Sequence, residues 1–105
     1  MRPEDFGPVR NENDRFRSSC QHIDENVLWD PALVLQGSTF RVSVLRLIRE
    51  QQDFEYDVVD LHDYGALVVE GQSIEWMILY LDEHSSTVDP AEATCRALSI
   101  EPGAA

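Results

Sequence analysis

Ser73-Ile74-Glu75-Trp76-Met77-Ile78-Leu79-Tyr80-Leu81-Asp82 is the stretch on which the fold turns. Ile74, Trp76, Ile78 and Tyr80 alternate onto one face of an extended chain, and Glu75, Met77, Leu79 and Leu81 onto the other. A strand with one solvated face is polar at alternate positions, whereas this one is apolar on both sides. Either helices cover both faces, or Met77, Leu79 and Leu81 form a patch for a partner. Immediately upstream, residues 64–70 read as another strand joined through Gly71-Gln72, so that 64–82 makes a tight hairpin.

Working outward from the hairpin, residues 50–63 carry six acids, Glu50, Asp53, Glu55, Asp57, Asp60 and Asp63, between Phe54, Tyr56, Val58, Val59 and Leu61. The apolar residues can anchor this segment, which reads as an ordered acidic loop. Before it, Gly37-Ser38 opens a helix with Ser38 as N-cap and Phe40, Val44, Leu47, Ile48 and Gln51 along one stripe. Val27-Leu28-Trp29 is a short extended piece closed by the Asp30-Pro31 turn. Val9, Phe16, Cys20 and Ile23 recur at helical spacing, with Arg10, Glu12, Asp14, Arg15 and Arg17 in the other positions, which predicts an amphipathic helix. Pro3, Gly7 and Pro8 make residues 1–8 a flexible lead-in. On the C-terminal side, Asp89-Pro90-Ala91-Glu92 is a helix-start signature, and residues 94–100 read equally as helix or third strand. The expected architecture is one α+β domain over residues 9–100 with a tail at 101–105. Two N-terminal helices pack on a small antiparallel sheet of two or three strands.

The 105 residues carry a net charge of −12, and all eight basic residues are Arg. Residues 1–49 are formally neutral, with seven acids and seven Arg, whereas residues 50–95 hold twelve acids and no Lys or Arg. Such a half repels nucleic acid and anionic membrane, and favours a basic partner surface approached under electrostatic steering. Spread over half of the roughly 6,000 Å² expected for this mass, the charge is one per roughly 250 Å², against one per roughly 110 Å² on duplex DNA. Mimicry of nucleic acid therefore requires the acids to crowd onto one face.

Apolar runs are too short for a membrane span, and no secretory core follows Met1, so a cytoplasmic setting is expected. Cys20 and Cys95 lie far apart without a CxxC spacing, which fits reduced thiols. No phosphate-loop, dinucleotide or nucleophile-elbow motif is present. Two clusters could carry chemistry. Asp60-x-His62-Asp63 and Asp82-Glu83-His84 combine carboxylates with imidazole, the donor set of a hard divalent metal or of a His base oriented by Asp. Acids are so abundant here that such adjacency arises by chance, and His62 with Asp63 reads better as a brace for the loop entering the hairpin. No cofactor or metal is expected.

Four stretches carry a family resemblance: Asn13-Asp14-Arg15-Phe16-Arg17; His62-Asp63-Tyr64-Gly65; the Gly71, Ile74, Trp76, Ile78, Tyr80, Asp82 pattern; and Asp89-Pro90 through Arg96-Ala97-Leu98-Ser99-Ile100. With these motifs in order, residues 9–100 resemble a group of small bacterial domains of unknown function, often carried on plasmids or integrated elements. The resemblance implies an α+β domain in a mobile-element setting and supplies no reaction. Met77 and Leu79 stand where the family typically has Lys and Asp, and Leu61 where it has Glu. Turning charged positions apolar suits a binding face better than a catalytic one.

The resulting expectation is a non-enzymatic, acidic interaction protein that contacts its partner through Asp53, Glu55, Asp57, Asp60, Met77, Leu79 and Leu81. The partner would be a protein with a basic surface, such as the nucleic-acid-binding surface of a CRISPR or restriction complex that the chain inhibits. Two other readings stay open: a small metal- or His/Asp-dependent enzyme using Asp60, His62 and Asp63, and a structural homodimer formed through Met77, Leu79 and Leu81.

Overall fold

A computed structural model describes residues 1–54 and 60–103. Its order is helix α1 (Phe6–Ser19), strand β1 (Val27–Trp29), the single-turn helix α2 (Pro31–Val34), helix α3 (Ser38–Glu50), then strands β2 (Tyr64–Val69), β3 (Gln72–Leu81) and β4 (Cys95–Pro102). The four strands form one mixed sheet in the order β1-β4-β3-β2, with β1 parallel to β4 and the other pairs antiparallel. No helix among the described residues is long and apolar enough to cross a membrane.

The α+β architecture holds, and the expected sheet is corrected in two ways. Residues 95–100 belong to a strand, the third, and Val27-Leu28-Trp29 adds a fourth beside it in parallel, with Val27 opposite Leu98 and Trp29 opposite Ile100. The second long helix therefore follows a strand instead of following the first helix. A three-residue strand has too little pattern to announce its pairing, and its partner lies some seventy residues downstream. Parallel pairing also needs a long crossover, which here contains α2, α3 and the hairpin.

Local chemistry explains most element ends. Pro8 is tolerated inside α1 because the first-turn N–H groups have no intrahelical partner, so the helix begins at Phe6, within the expected lead-in. Asp30 caps α2 by accepting from the Ala32 N–H at 2.9 Å. The N-cap of α3 is Gly37, at a φ of 92° that glycine alone adopts readily, and Ser38 is the first helical residue. Glu70 and Gly71, with φ of 51° and 79°, form the two-residue hairpin turn between Val69 and Gln72, one position earlier than the sequence suggested. Asp89 accepts from the Ala91 N–H, and the helix-start signature opens only one turn, Pro90–Glu92.

Phe40, Val44, Leu45 and Ile48 of α3 pack against Ile74, Trp76, Ile78, Leu98 and Ile100 of the sheet. Burying each such side chain contributes about 1.5–3 kcal/mol. Both long helices lie on this Trp76 face, because Arg17 of α1 also stands over the Trp76 ring.

Candidate functional site

The residues of the motifs meet where α1 crosses the sheet. Val9, Asn13 and Arg17 are spaced by four and share the inner side of α1, so two residues that hydrophobic spacing leaves outside are buried, Asn13 to 0% exposure and Arg17 to 4%. Ile23, expected on the apolar stripe, lies past the helix end and is 75% exposed.

Asn13 Nδ2 donates to the Leu61 carbonyl at 2.9 Å and to Tyr80 Oη at 2.8 Å. Its Oδ1 accepts from Arg96 Nε at 2.7 Å. The Tyr80 hydroxyl in turn donates to Asp63 Oδ2 at 2.8 Å. Burial, and then the Asp63 carboxylate accepting its proton, raise the Tyr80 phenol well above its ordinary range, with Asn13 and Arg96 acting in the opposite direction.

Arg17 is the second centre. Its Nη1 donates to the Ile48 carbonyl at 2.8 Å and the Gln51 carbonyl at 3.2 Å, capping the end of α3 where carbonyls lack helical partners. Its Nη2 meets Asp14 Oδ1 at 2.8 Å, and its guanidinium lies 4.8 Å from the Phe54 ring centre and 5.4 Å from that of Trp76. Gln51 in turn accepts from Trp76 Nε1 at 2.9 Å.

His62 joins the two centres, with Nδ1 2.8 Å from Asp14 Oδ1, Nε2 3.1 Å from Asp60 Oδ1 and its ring stacked on Phe54 at 4.1 Å. Arg10 Nε donates to the Asp60 carbonyl. These bonds hold Asp60 and His62 at φ of 56° and 58°, a left-handed backbone uncommon outside glycine. The geometry is that of a brace: each ring nitrogen of His62 faces a carboxylate, and Asp63 serves Tyr80. Asp82 likewise serves its own turn, accepting from the backbone N–H groups of His84 and Ser86. Among the described residues no three His, Cys, Asp or Glu are grouped as metal ligands.

Among the described residues neither long helix packs on the other face of the sheet. Tyr64, Met77, Ser99 and Leu28 lie in one row across all four strands, and Ala66, Glu75 and Glu101 in the next. Met77 is 46% exposed and Val68 63%, with Tyr64 and Leu28 also open. No Arg, Lys or His occupies a strand position on this face, although Glu75 and Glu101 stand directly opposite each other. Of the residues expected to meet a partner, Met77 is exposed here, whereas Leu79 and Leu81 on the same face are half-buried. Asp53 is exposed beside the end of α3. Asp60 is exposed too, but it is tied to Arg10 and His62, so neutralising it would loosen the brace as well as remove a surface charge. Glu55 and Asp57 lie outside the described residues.

Cys20 is buried and Cys95 exposed on this open face, and both are free thiols. Burial first, and then the charge of Asp24, push the Cys20 thiol up to about 11, partly offset by Arg49. At neutral pH this leaves about a hundredfold less thiolate than an ordinary cysteine holds. Titration with a chromogenic disulfide near pH 7.5 should therefore show one fast thiol, lost in Cys95→Ser, and a second that reacts only on unfolding; two equally fast thiols would contradict the burial of Cys20.

No protein-family model, no curated protein and no solved structure matches the chain. The motif residues Asn13, Asp14, Arg17, His62, Asp63 and Tyr80 are the ones this fold brings together. For Asn13 and Arg17 the signal in the sequence is their four-residue spacing from Val9, which hydrophobicity alone passes over.

Proposed function

We propose that the chain is a non-enzymatic interaction module whose sheet face opposite the long helices docks on a basic protein surface. The observation that carries this reading is the Glu75–Glu101 pair, opposed across β3 and β4 amid Tyr64, Met77, Val68 and Leu28, with no basic residue at a strand position on that face. Like charges directly opposite in a sheet cost stability, by a few tenths of a kcal/mol up to about 1. Arginine or lysine from a partner removes that repulsion and forms charge-assisted bonds, while the surrounding apolar side chains supply buried area. Three of the chain's arginines are engaged elsewhere: Arg17 is held by Asp14, Arg96 by Asn13, and Arg10 by Asp60. The mobile-element setting implied by the motif resemblance makes the nucleic-acid-binding surface of a host defence complex the first partner to test.

The test is the double variant Glu75→Gln/Glu101→Gln. It should melt at or above wild type, since the repulsion is gone, and lose capture of its partner from native cells at low salt. Wild-type capture should itself weaken as added salt shortens the Debye length to about 8 Å. Equal, salt-insensitive capture by the variant and the wild type would refute the reading.

A further inference from the structure

Among the described residues no strand pairs with the outer edge of β2. The β1 edge is three residues long and is closed by Asp30-Pro31, whereas β2 at the other edge runs Tyr64-Gly65-Ala66-Leu67-Val68-Val69 with no charge and no proline. Edges of that length are usually blunted by Lys, Pro, a bulge or a covering element. The backbone groups that β2 presents can be assigned. Ile78 N–H donates to the Asp63 carbonyl at 2.8 Å, which makes 63 and 78 a hydrogen-bonded pair. By the alternation of an antiparallel ladder, Gly65, Leu67 and Val69 turn their N–H and C=O groups toward β3, and Tyr64, Ala66 and Val68 turn theirs outward. Among the described residues nothing pairs with these outward groups. A groove of about 800 Å³ runs along the same edge, walled by Leu47, Glu50, Gln51, Asp53 and Phe54.

We propose that the β2 edge accepts an extended basic segment of a protein partner as a fifth strand. This deepens the docking reading above, on which it rests for the partner's charge. Main-chain bonds to Tyr64, Ala66 and Val68 supply the pairing, and alternate side chains divide between two environments. Arginine or lysine side chains on the groove side meet Glu50 and Asp53, both exposed, and apolar side chains on the other side extend the Tyr64, Val68 and Met77 face. Charge also selects against self-pairing, because a second copy would bring the same acids, and another net charge of −12, to the shared edge.

The probe is a short capped peptide alternating arginine and valine, followed by amide hydrogen exchange. Saturating peptide should slow exchange at Tyr64, Ala66 and Val68 by about tenfold or more, and leave Gly65, Leu67 and Val69, already bonded to β3, unchanged. The same peptide N-methylated throughout keeps its charges and side chains without its donors, and should bind about tenfold more weakly or worse. Ala66→Pro deletes an outward N–H at an edge, where proline is tolerated, and should weaken binding to a similar extent at an unchanged melting temperature. If that variant does not fold, Val68→Lys, which sets a like charge beside the incoming strand, replaces it with the same expectation. Equal binding of the methylated peptide, no slowing at the three amides, or no binding overturns edge pairing. The charge-docking reading then stands or falls separately, on the Glu75/Glu101 variant.

Discussion

Arg17→Ala is expected to lower the stability of the protein by about 2–4 kcal/mol. Arg17 is 4% exposed and makes three strong contacts, with Asp14, the Ile48 carbonyl and the Gln51 carbonyl, while its plane fills space beside Phe54 and Trp76. Truncation leaves the Asp14 charge without its nearest cation, the end of α3 without its cap, and a void beside the indole. Asp14 is 42% exposed and also faces His62 at 2.8 Å, so water screens the lost ion pair, and the uncapped α3 carbonyls with the void beside the indole carry the cost, about 2–4 kcal/mol against a total stability of about 5–15 kcal/mol for a domain. Arg17→Lys keeps the charge but not the planar fork that reaches Asp14 and α3 together, and should lose an intermediate amount. Arg17→Met, which keeps the apolar length, should separate packing from bonding. The measurement is denaturant unfolding of the three variants beside wild type; a loss below about 1 kcal/mol in Arg17→Ala would show that the contacts are not structural.

Gly65→Ala should be nearly as damaging, although it adds a single methyl group to a strand. A Cβ at residue 65 would stand 2.5 Å from Trp76 Nε1, 2.6 Å from Gln51 Oε1 and 2.7 Å from Trp76 Cε2. The indole is almost fully buried and its N–H is bonded to Gln51 at 2.9 Å, so the ring cannot step aside without breaking that bond and disturbing the core. Overpacking of this kind costs about 1–3 kcal/mol, and the lost Trp76–Gln51 bond brings the expected figure to the upper end. Glycine weakens a strand interior as a rule; here it stays because the tryptophan lies across its neighbour strand at that point. Thermal melts should show the loss, and Trp76→Phe should reduce the penalty of Gly65→Ala, since the two residues share one space. Additive penalties in the double variant would mean that the methyl group clashes with something else.

These two residues show how far the site could be read without tertiary contacts. The brace role of His62 and Asp63 is legible from their position before the hairpin, whereas the partners that make the brace are not. Asp63 accepts from the Tyr80 hydroxyl, and His62 spans Asp14 and Asp60. The spacing places Arg17 on the polar side of α1 and singles out no role for Asn13, because a periodicity argument sorts residues by hydrophobicity and sends polar ones outward. Burial of Asn13 is stable only because its partners Leu61, Tyr80 and Arg96, from 48 to 83 positions away, satisfy both ends of its amide.

By itself the sequence determined the local elements and the division of charge. The period of 3.6 marks α1 and α3, the period of 2 marks β3, Gly71 marks the hairpin turn to within one position, and twelve uncompensated acids fill the half from Glu50 onward. Each of these depends on residues close together in the chain, where spacing and backbone preference decide. Only the tertiary structure decided that Val27–Trp29 pairs in parallel with β4, that both long helices take the Trp76 face, and that Met77, Glu75 and Glu101 are thereby left on an open one. An alternating strand apolar on both sides can be covered on either, and the choice belongs to the helices. They took the side where Trp76, Ile78 and Leu98 offer a continuous apolar surface and where each side-chain nitrogen and oxygen of the buried Arg17 and Asn13 except Arg17 Nε has a hydrogen-bond partner.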